Sequence, residues 1–518
     1  MKLSFFSFFF SFFLLHSTYS VAQLVNDKHI LNYNQYKRSY SLKNPQHTSF
    51  KPSFNNYDSL EQGRRFSFFS LSKNNLSLQI NPAFDLSFGL QNKSENTIYR
   101  HSVGSDVKAK IKKWSFGFTY LRNMGKYMHY QSNFILENRT VPGLNVSKGR
   151  SFYQADFFSS FLNFKANKVW DFEIGYGRNF IGDGYRSLLL SDYANASPYL
   201  KITTKFWKIQ YTNLFSSHQN IYSVAGSPSL YKRKYSASHY LSWIARPWLN
   251  ISLFETIVWQ AKEAQYTRGF DVNYLNPFIF YRPVEFSTGS SDNVLVGANI
   301  KVTPFKNHVF YAQFLFDEFL LDELRADFNQ FRNPNKDIRS GWWANKYGIQ
   351  IGWNSFDLFN IPGLQTRVEY NLVRPYTYAH SSPTQAYSNY NLSLAHPLGA
   401  NFHEFIAIFN YQKKKWLVKA QFNQSRRGAS PLGENFGENI LLSNSSRSRE
   451  YENHLSQGVP VFTHYFDASL GYVVDKSIGA IFSVGIVWRE QKVEKLATVN
   501  SSVFVSLKTN LFNQYWDH

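Results

Sequence analysis

The sequence predicts an all-β protein: a transmembrane antiparallel β-barrel of about eighteen strands around a wet or side-chain-filled lumen. Three observations carry that expectation. The chain opens like an exported protein, its apolar and polar residues alternate with a period of two, and short turns exchange regularly with long connections. Phe, Tyr and Trp make up 19% of the 518 residues, yet the mean hydropathy is -0.38. So much aromatic surface excludes a disordered chain. Beyond residue 22 no apolar run approaches the ~20 residues of a membrane-spanning helix.

The export signal comes first. Met1-Lys2 supplies a positive start, residues 5–15 an almost wholly apolar stretch, and Ser20-Val21-Ala22 a small-residue cleavage site. These are the three parts of a secretory signal peptide, which places the segment at 1–22 with cleavage after Ala22. Residues 23–70 are polar and weakly periodic, a periplasmic arm or a plug segment, and 71–518 form the barrel. The formal charge of +21 suits contact with lipopolysaccharide, acidic polysaccharide or nucleic acid. The absence of cysteine removes disulfides, thiolate metal sites, a Cys nucleophile and a lipidated Cys.

Alternation defines the staves. Trp114, Phe116, Phe118 and Tyr120 alternate with Ser115, Gly117 and Thr119; Phe172, Ile174 and Tyr176 alternate with Glu173, Gly175 and Gly177. Each run has one apolar face and one polar or small face. Big aromatics on the apolar face fit a lipid-facing band with interfacial girdles, the other face lining a lumen. Hairpins close at 167–168, 207–208 and 246–250, whereas 216–234, 262–293, 320–346, 374–403 and 424–464 are long connections. That asymmetry places the long loops outside the cell. Residues 320–331 read as a short helix with Leu320, Leu321, Leu324 and Phe328 on one face.

Catalytic motifs are missing. His403-Glu404 lacks a second zinc ligand because position 407 is Ala, and Gly175–Phe180 falls one residue short of a dinucleotide fingerprint. The acidic group Asp317, Glu318, Asp322 and Glu323 reads as charge balancing nearby Arg rather than as a metal or acid–base site. The expectation is a non-enzymatic protein with no cofactor, no metal and no nucleic-acid partner. An outer-membrane diffusion porin and an outer-membrane hydrolase are the alternatives. What remains is recognition: aromatic rings cover the C–H faces of sugars, and Arg forks bind carboxylates. Tyr185 and Tyr193 lie beside Arg186 and Asp183, and Tyr376 and Tyr378 beside Arg374 and His380.

Residues 177–192, Gly-Arg-Asn-Phe-Ile-Gly-Asp-Gly-Tyr-Arg-Ser-Leu-Leu-Leu-Ser-Asp, resemble the signature of the capsule-assembly Wzi-like outer-membrane proteins. They look closer still to the Bacteroidetes branch that includes the gliding-motility protein RemB. Asn276–Phe286, Val373–His380 and Ala395–Asn401 fit the same pattern. The resemblance implies an eighteen-stranded barrel blocked from within, acting as a surface lectin that retains capsular or exopolysaccharide. For the RemB-like branch it implies a cell-surface part in gliding motility. Implied partners are the surface polysaccharide, the lipopolysaccharide of the outer membrane, and motility or capsule-export proteins. Candidate ligand contacts on the matched motifs are Arg178, Asp183, Tyr185, Arg186, Arg282, Glu285, Arg374, Tyr376, His380 and His396.

Overall fold

The computed structural model describes residues 33–52, 67–73, 75–92, 97–149, 152–222, 224, 227–263, 266–277, 292–318, 320–333, 339–509 and 513–518. Their main feature is a closed antiparallel barrel of eighteen long staves. The first five are β1 (Leu76–Gln91), β2 (Thr97–Ile111), β3 (Trp114–Lys126), β4 (Phe157–Lys165) and β5 (Trp170–Gly177). Next come β6 (Ser197–Phe206), β7 (Ile209–Asn220), β8 (Lys232–Arg246), β9 (Leu249–Gln260) and β10 (Asn293–Phe305). Then follow β11 (His308–Glu318), β12 (Lys346–Phe356), β13 (Leu364–Val373) and β14 (Phe402–Lys413). The last are β15 (Trp416–Ala429), β16 (Val459–Asp475), β17 (Ala480–Val493) and β18 (Leu496–Thr509). Each stave pairs with the next, and β18 closes on β1 with Lys508 opposite Asp85. A short strand, Phe69–Lys73, extends the wall beside the first half of β1.

The barrel is inverted relative to a water-soluble one. On β5, Phe172 and Ile174 are exposed on the outside, while Glu173 is buried on the inside. The same holds for Phe482, Val484 and Ile486 on β17, whose neighbour Ser483 is buried. Register keeps the faces aligned: Phe172 sits opposite Ile202 and Glu173 opposite Lys201. A one-residue slip would turn every such pair inside out, so the alternation itself fixes the pairing.

The two ends differ. At one, the connections are short: 112–113, 166–169, 207–208, 247–248, 306–307, 357–363, 414–415 and 476–479. The strands run further than the sequence suggested, so the third expected turn shrinks from 246–250 to Pro247-Trp248. Exposed tryptophans (Trp114, Trp170, Trp207, Trp248 and Trp416) ring this end beside lysine-bearing turns. At the other end the connections are long, except 92–96 and 494–495.

The lumen is filled from both ends. Helix α1 (Tyr33–Ser39) enters at the short-turn end, where the Tyr33 hydroxyl donates to Asp357 at 2.6 Å. The chain continues inward to Phe50-Lys51, which pairs with Phe180-Ile181. Connection 127–156 folds into α2 (His129–Asn138), and 178–196 and 374–401 dive into the barrel. Residues 513–518, after β18, also turn inside. Together they form the main apolar cluster, including Ile181, Leu188, Leu189, Tyr378, Leu392 and Tyr515. The expected helix is present as α3 (Leu321–Arg332), in a loop at the long-loop end, with Leu320, Leu321 and Phe328 exposed. No described helix is long and apolar enough to cross a membrane. The leader 1–22, Arg282 and Glu285 lie outside the described residues.

Candidate functional site

Two features dominate the interior: a fully buried polar network that fixes the plug, and a polar cavity at the long-loop mouth. The network centres on Arg186, on the inward loop 178–196. Its Nε and Nη2 donate to both oxygens of Glu404 on β14, at 3.2 and 2.9 Å, and its Nη1 donates to Asp517 at 3.1 Å. Burial opposes the guanidinium charge, but Asp517 and Glu404 outweigh it and hold the pKa well above its ordinary value. Tyr185 donates its hydroxyl to Asp517 at 2.5 Å. The backbone N–H groups of Tyr185 and Arg186 donate to Glu369 on β13, at 2.7 and 3.0 Å. This close approach explains Gly184, where a Cβ would lie 2.6 Å from the Glu369 carboxylate.

His396 completes the cluster. The backbone N–H of Leu398 donates to its Nδ1 at 3.2 Å, so the proton sits on Nε2, which donates to Glu404 at 2.7 Å. Burial lowers the His396 pKa and keeps the ring neutral, against the pull of Glu404. Asp183, also buried, accepts from Thr48 at 2.5 Å and from Asn299 at 3.0 Å, linking the N-terminal segment to β10. Arg178 ties the same loop to the tail by donating to the carbonyls of Asp192 and Asn513, at 2.7 and 3.2 Å.

The second motif lies apart from this cluster. Arg374 donates to the carbonyls of Asn453 and Trp342, bracing loops at the long-loop end. Tyr376 and Tyr378 are buried in left-handed backbone (φ 64° and 72°), a conformation retained because their hydroxyls are fixed on the Asn435 and Leu188 carbonyls. His380 is half-buried, and desolvation pulls its pKa down to about 4. Thus Asp183, Tyr185, Arg186, Tyr376 and His396 face other protein groups rather than solvent. Within the acidic group the balancing cation for Asp317 and Glu318 is Lys346 rather than an arginine, Arg325 pairs with Asp322, and Glu323 accepts from the Tyr451 hydroxyl. Among the described residues no His/Cys/Asp/Glu group could hold a metal ion.

The mouth cavity, about 630 Å³, lies between α2, loops 391–399 and 438–441, and the inner faces of β15, β17 and β18. That volume suits a small ligand or part of a larger one, for which roughly 300–1,000 Å³ is usual. Tyr130, Arg427, Arg489, Asn500, Trp516 and His518 line it. Arg489 stands over the Tyr130 ring at 4.7 Å. Two buried donors among these, Trp516 Nε1 and Asn500 Nδ2, make no hydrogen bond within the described protein. Of the residues singled out in the sequence, Tyr193 lines this cavity, and none of the described candidate contacts on the matched motifs does. The available signal was the tail Tyr515-Trp516-Asp517-His518, too polar and aromatic for an idle extension.

No protein-family model matches the chain, and no curated protein matches it. Among solved structures it is similar to Wzi, an outer membrane protein involved in group 1 capsule assembly in Escherichia coli and described as a carbohydrate-binding β-barrel. That match has 10% identity and a TM-score of 0.48, covering 83% of this chain and 85% of that one. It is also similar to OprD of Pseudomonas aeruginosa, with 8% identity and a TM-score of 0.40 over 86% and 97% of the two chains. OpdL of the same organism matches with 6% identity and a TM-score of 0.43 over 84% and 98%. At these identities and scores the likeness assigns no function to the chain.

Proposed function

We propose that this protein is an outer-membrane barrel, exported with cleavage after Ala22, that binds or retains capsular or exopolysaccharide at the cell surface without catalysis. The observation that carries the reading is the mouth cavity, where aromatic rings and two arginines meet at the long-loop end. Rings cover sugar C–H faces, and arginines bind uronate or similar carboxylates. The outward apolar belt requires an apolar surrounding, and the ring of tryptophans beside lysines fits a lipid interface. On this reading the ten motif residues serve as follows. Arg178, Asp183, Tyr185, Arg186 and His396 hold the plug, Arg374, Tyr376 and His380 brace the external loops, and Arg282 and Glu285 remain candidate contacts.

The test is a salt-titrated binding assay of the purified protein with an acidic capsular polysaccharide. Arg427→Ala removes one cation from the cavity and should weaken binding several-fold, about 1 kcal/mol, with unchanged thermal unfolding. Wild-type protein that binds no acidic polysaccharide at low salt refutes the reading. The resemblance to the gliding-motility branch adds a motility role for the same surface. A deletion strain scored for both capsule retention and surface spreading separates the two.

A further inference from the structure

We propose that the barrel also carries a narrow anion conduit, running between the plug and the sector of wall formed by β15–β18 and β1–β3. Three cavities stack along this sector. Below the mouth cavity lies a middle one of about 240 Å³, and below that an inner one of about 100 Å³ beside Tyr33 and Gly363 at the short-turn end. Neighbouring cavities share lining residues.

Tyr130 and Trp516 line both the mouth and middle cavities, and the Tyr130 hydroxyl donates to the Trp516 carbonyl at 2.8 Å. Phe134 packs edge-on against Trp516 at 6.0 Å. Lys419, Asp467 and Lys508 line both the middle and inner cavities, with Lys419 and Asp467 2.9 Å apart. The path therefore has an aromatic upper door and an ionic lower one.

Charge selects what passes. Arg100, Lys126, Lys419 and Lys508 line the middle cavity against Asp85 and Asp467, an excess of two cations. Asp85 lies 3.3 Å from Arg100. A cationic excess within low-dielectric walls concentrates anions. At the long-loop end, the connection 494–495 over this sector is only two residues long. Two doors exclude sugars, so the permeant class is the small inorganic anion, with chloride as the probe.

The experiment uses the full-length protein reconstituted in lipid. In planar bilayers under a KCl gradient, wild type should pass a small steady current with a reversal potential on the chloride side. Trp516→Ala should raise that conductance several-fold, and Lys508→Glu should reduce the anion preference. The cysteine-free chain allows a second measurement that does not depend on Trp516. Ser506→Cys, in the middle cavity, should react in folded protein with an anionic thiol reagent at least about tenfold faster than with a cationic one. Conductance that is absent or cation-preferring overturns the proposal, as does a thiol at position 506 that reacts only after denaturation.

Discussion

The two sides of the lumen are built from the same alternating strands, yet they end differently. Along β10–β15 the inward polar residues Asn299, Gln313, Gln350, Glu369, Glu404 and Gln421 all meet the plug through hydrogen bonds. Along β16–β18 and β1–β3, inward groups such as Asp85, Asp467 and Lys508 line cavities instead, and Arg100 does both, donating to Gln514 of the tail at 2.5 Å. The strand pattern does not decide this. Loop length contributes: 178–196 and 374–401 are long enough to fold inward, whereas 494–495 is not. One side is therefore fixed and dry, and the other keeps room for a ligand.

Breaking the fixed side should have the largest effect. Arg186→Ala leaves Glu404 and Asp517 buried without their cation, and should cost about 3–5 kcal/mol. Thermal unfolding of the purified barrel measures it, and a fall in midpoint no greater than that of a cavity-side variant such as Arg427→Ala would show the network to be dispensable. Next in size is the outer face they share. Ile174→Lys places a charge where the side chain is 61% exposed on the apolar belt, costing about 2–4 kcal/mol near the bilayer midplane. Assembly at wild-type levels, scored by heat-modifiable migration, would reverse the face assignment of β5.

The smallest effect depends on pH. His396 has a folded pKa below its unfolded value, so its contribution is present above roughly pH 6.5 and lost as pH falls toward the folded value. Its surroundings are Glu404, Arg186 and Asp517. The loss is at most about 1.4 kcal/mol per pH unit. Comparing the pH dependence of unfolding in wild type and His396→Gln should show a shallower acid slope in the variant. Equal slopes would mean that the ring is not the acid-sensitive element of the fixed side.

The barrel was legible in the sequence because a stave is local: a period of two over eight to seventeen residues is visible without knowing its neighbour. The interior was not. Arg186 finds its partners 218 and 331 positions away, and nothing in a single sequence links such distances. Gly182 and Gly184 are places where the plug backbone closely approaches Gln313, Glu369 and Gln350. Motif residues suited to sugar and carboxylate recognition were used to recognise the protein's own carboxylates. Tyr130, Arg427 and Trp516 lie on three different elements with no shared motif, so the cavity they form could not be read in advance.

The closing seam between β18 and β1 has a consequence for its two flanks. The chain on each side of it leads into the interior: 33–52 precedes the short strand beside β1, and 513–518 follows β18. Both segments are held by the same inward loop, Thr48 on Asp183 and Asp517 on Arg186, so the seating of the two flanks of the seam is coupled through one stretch of chain.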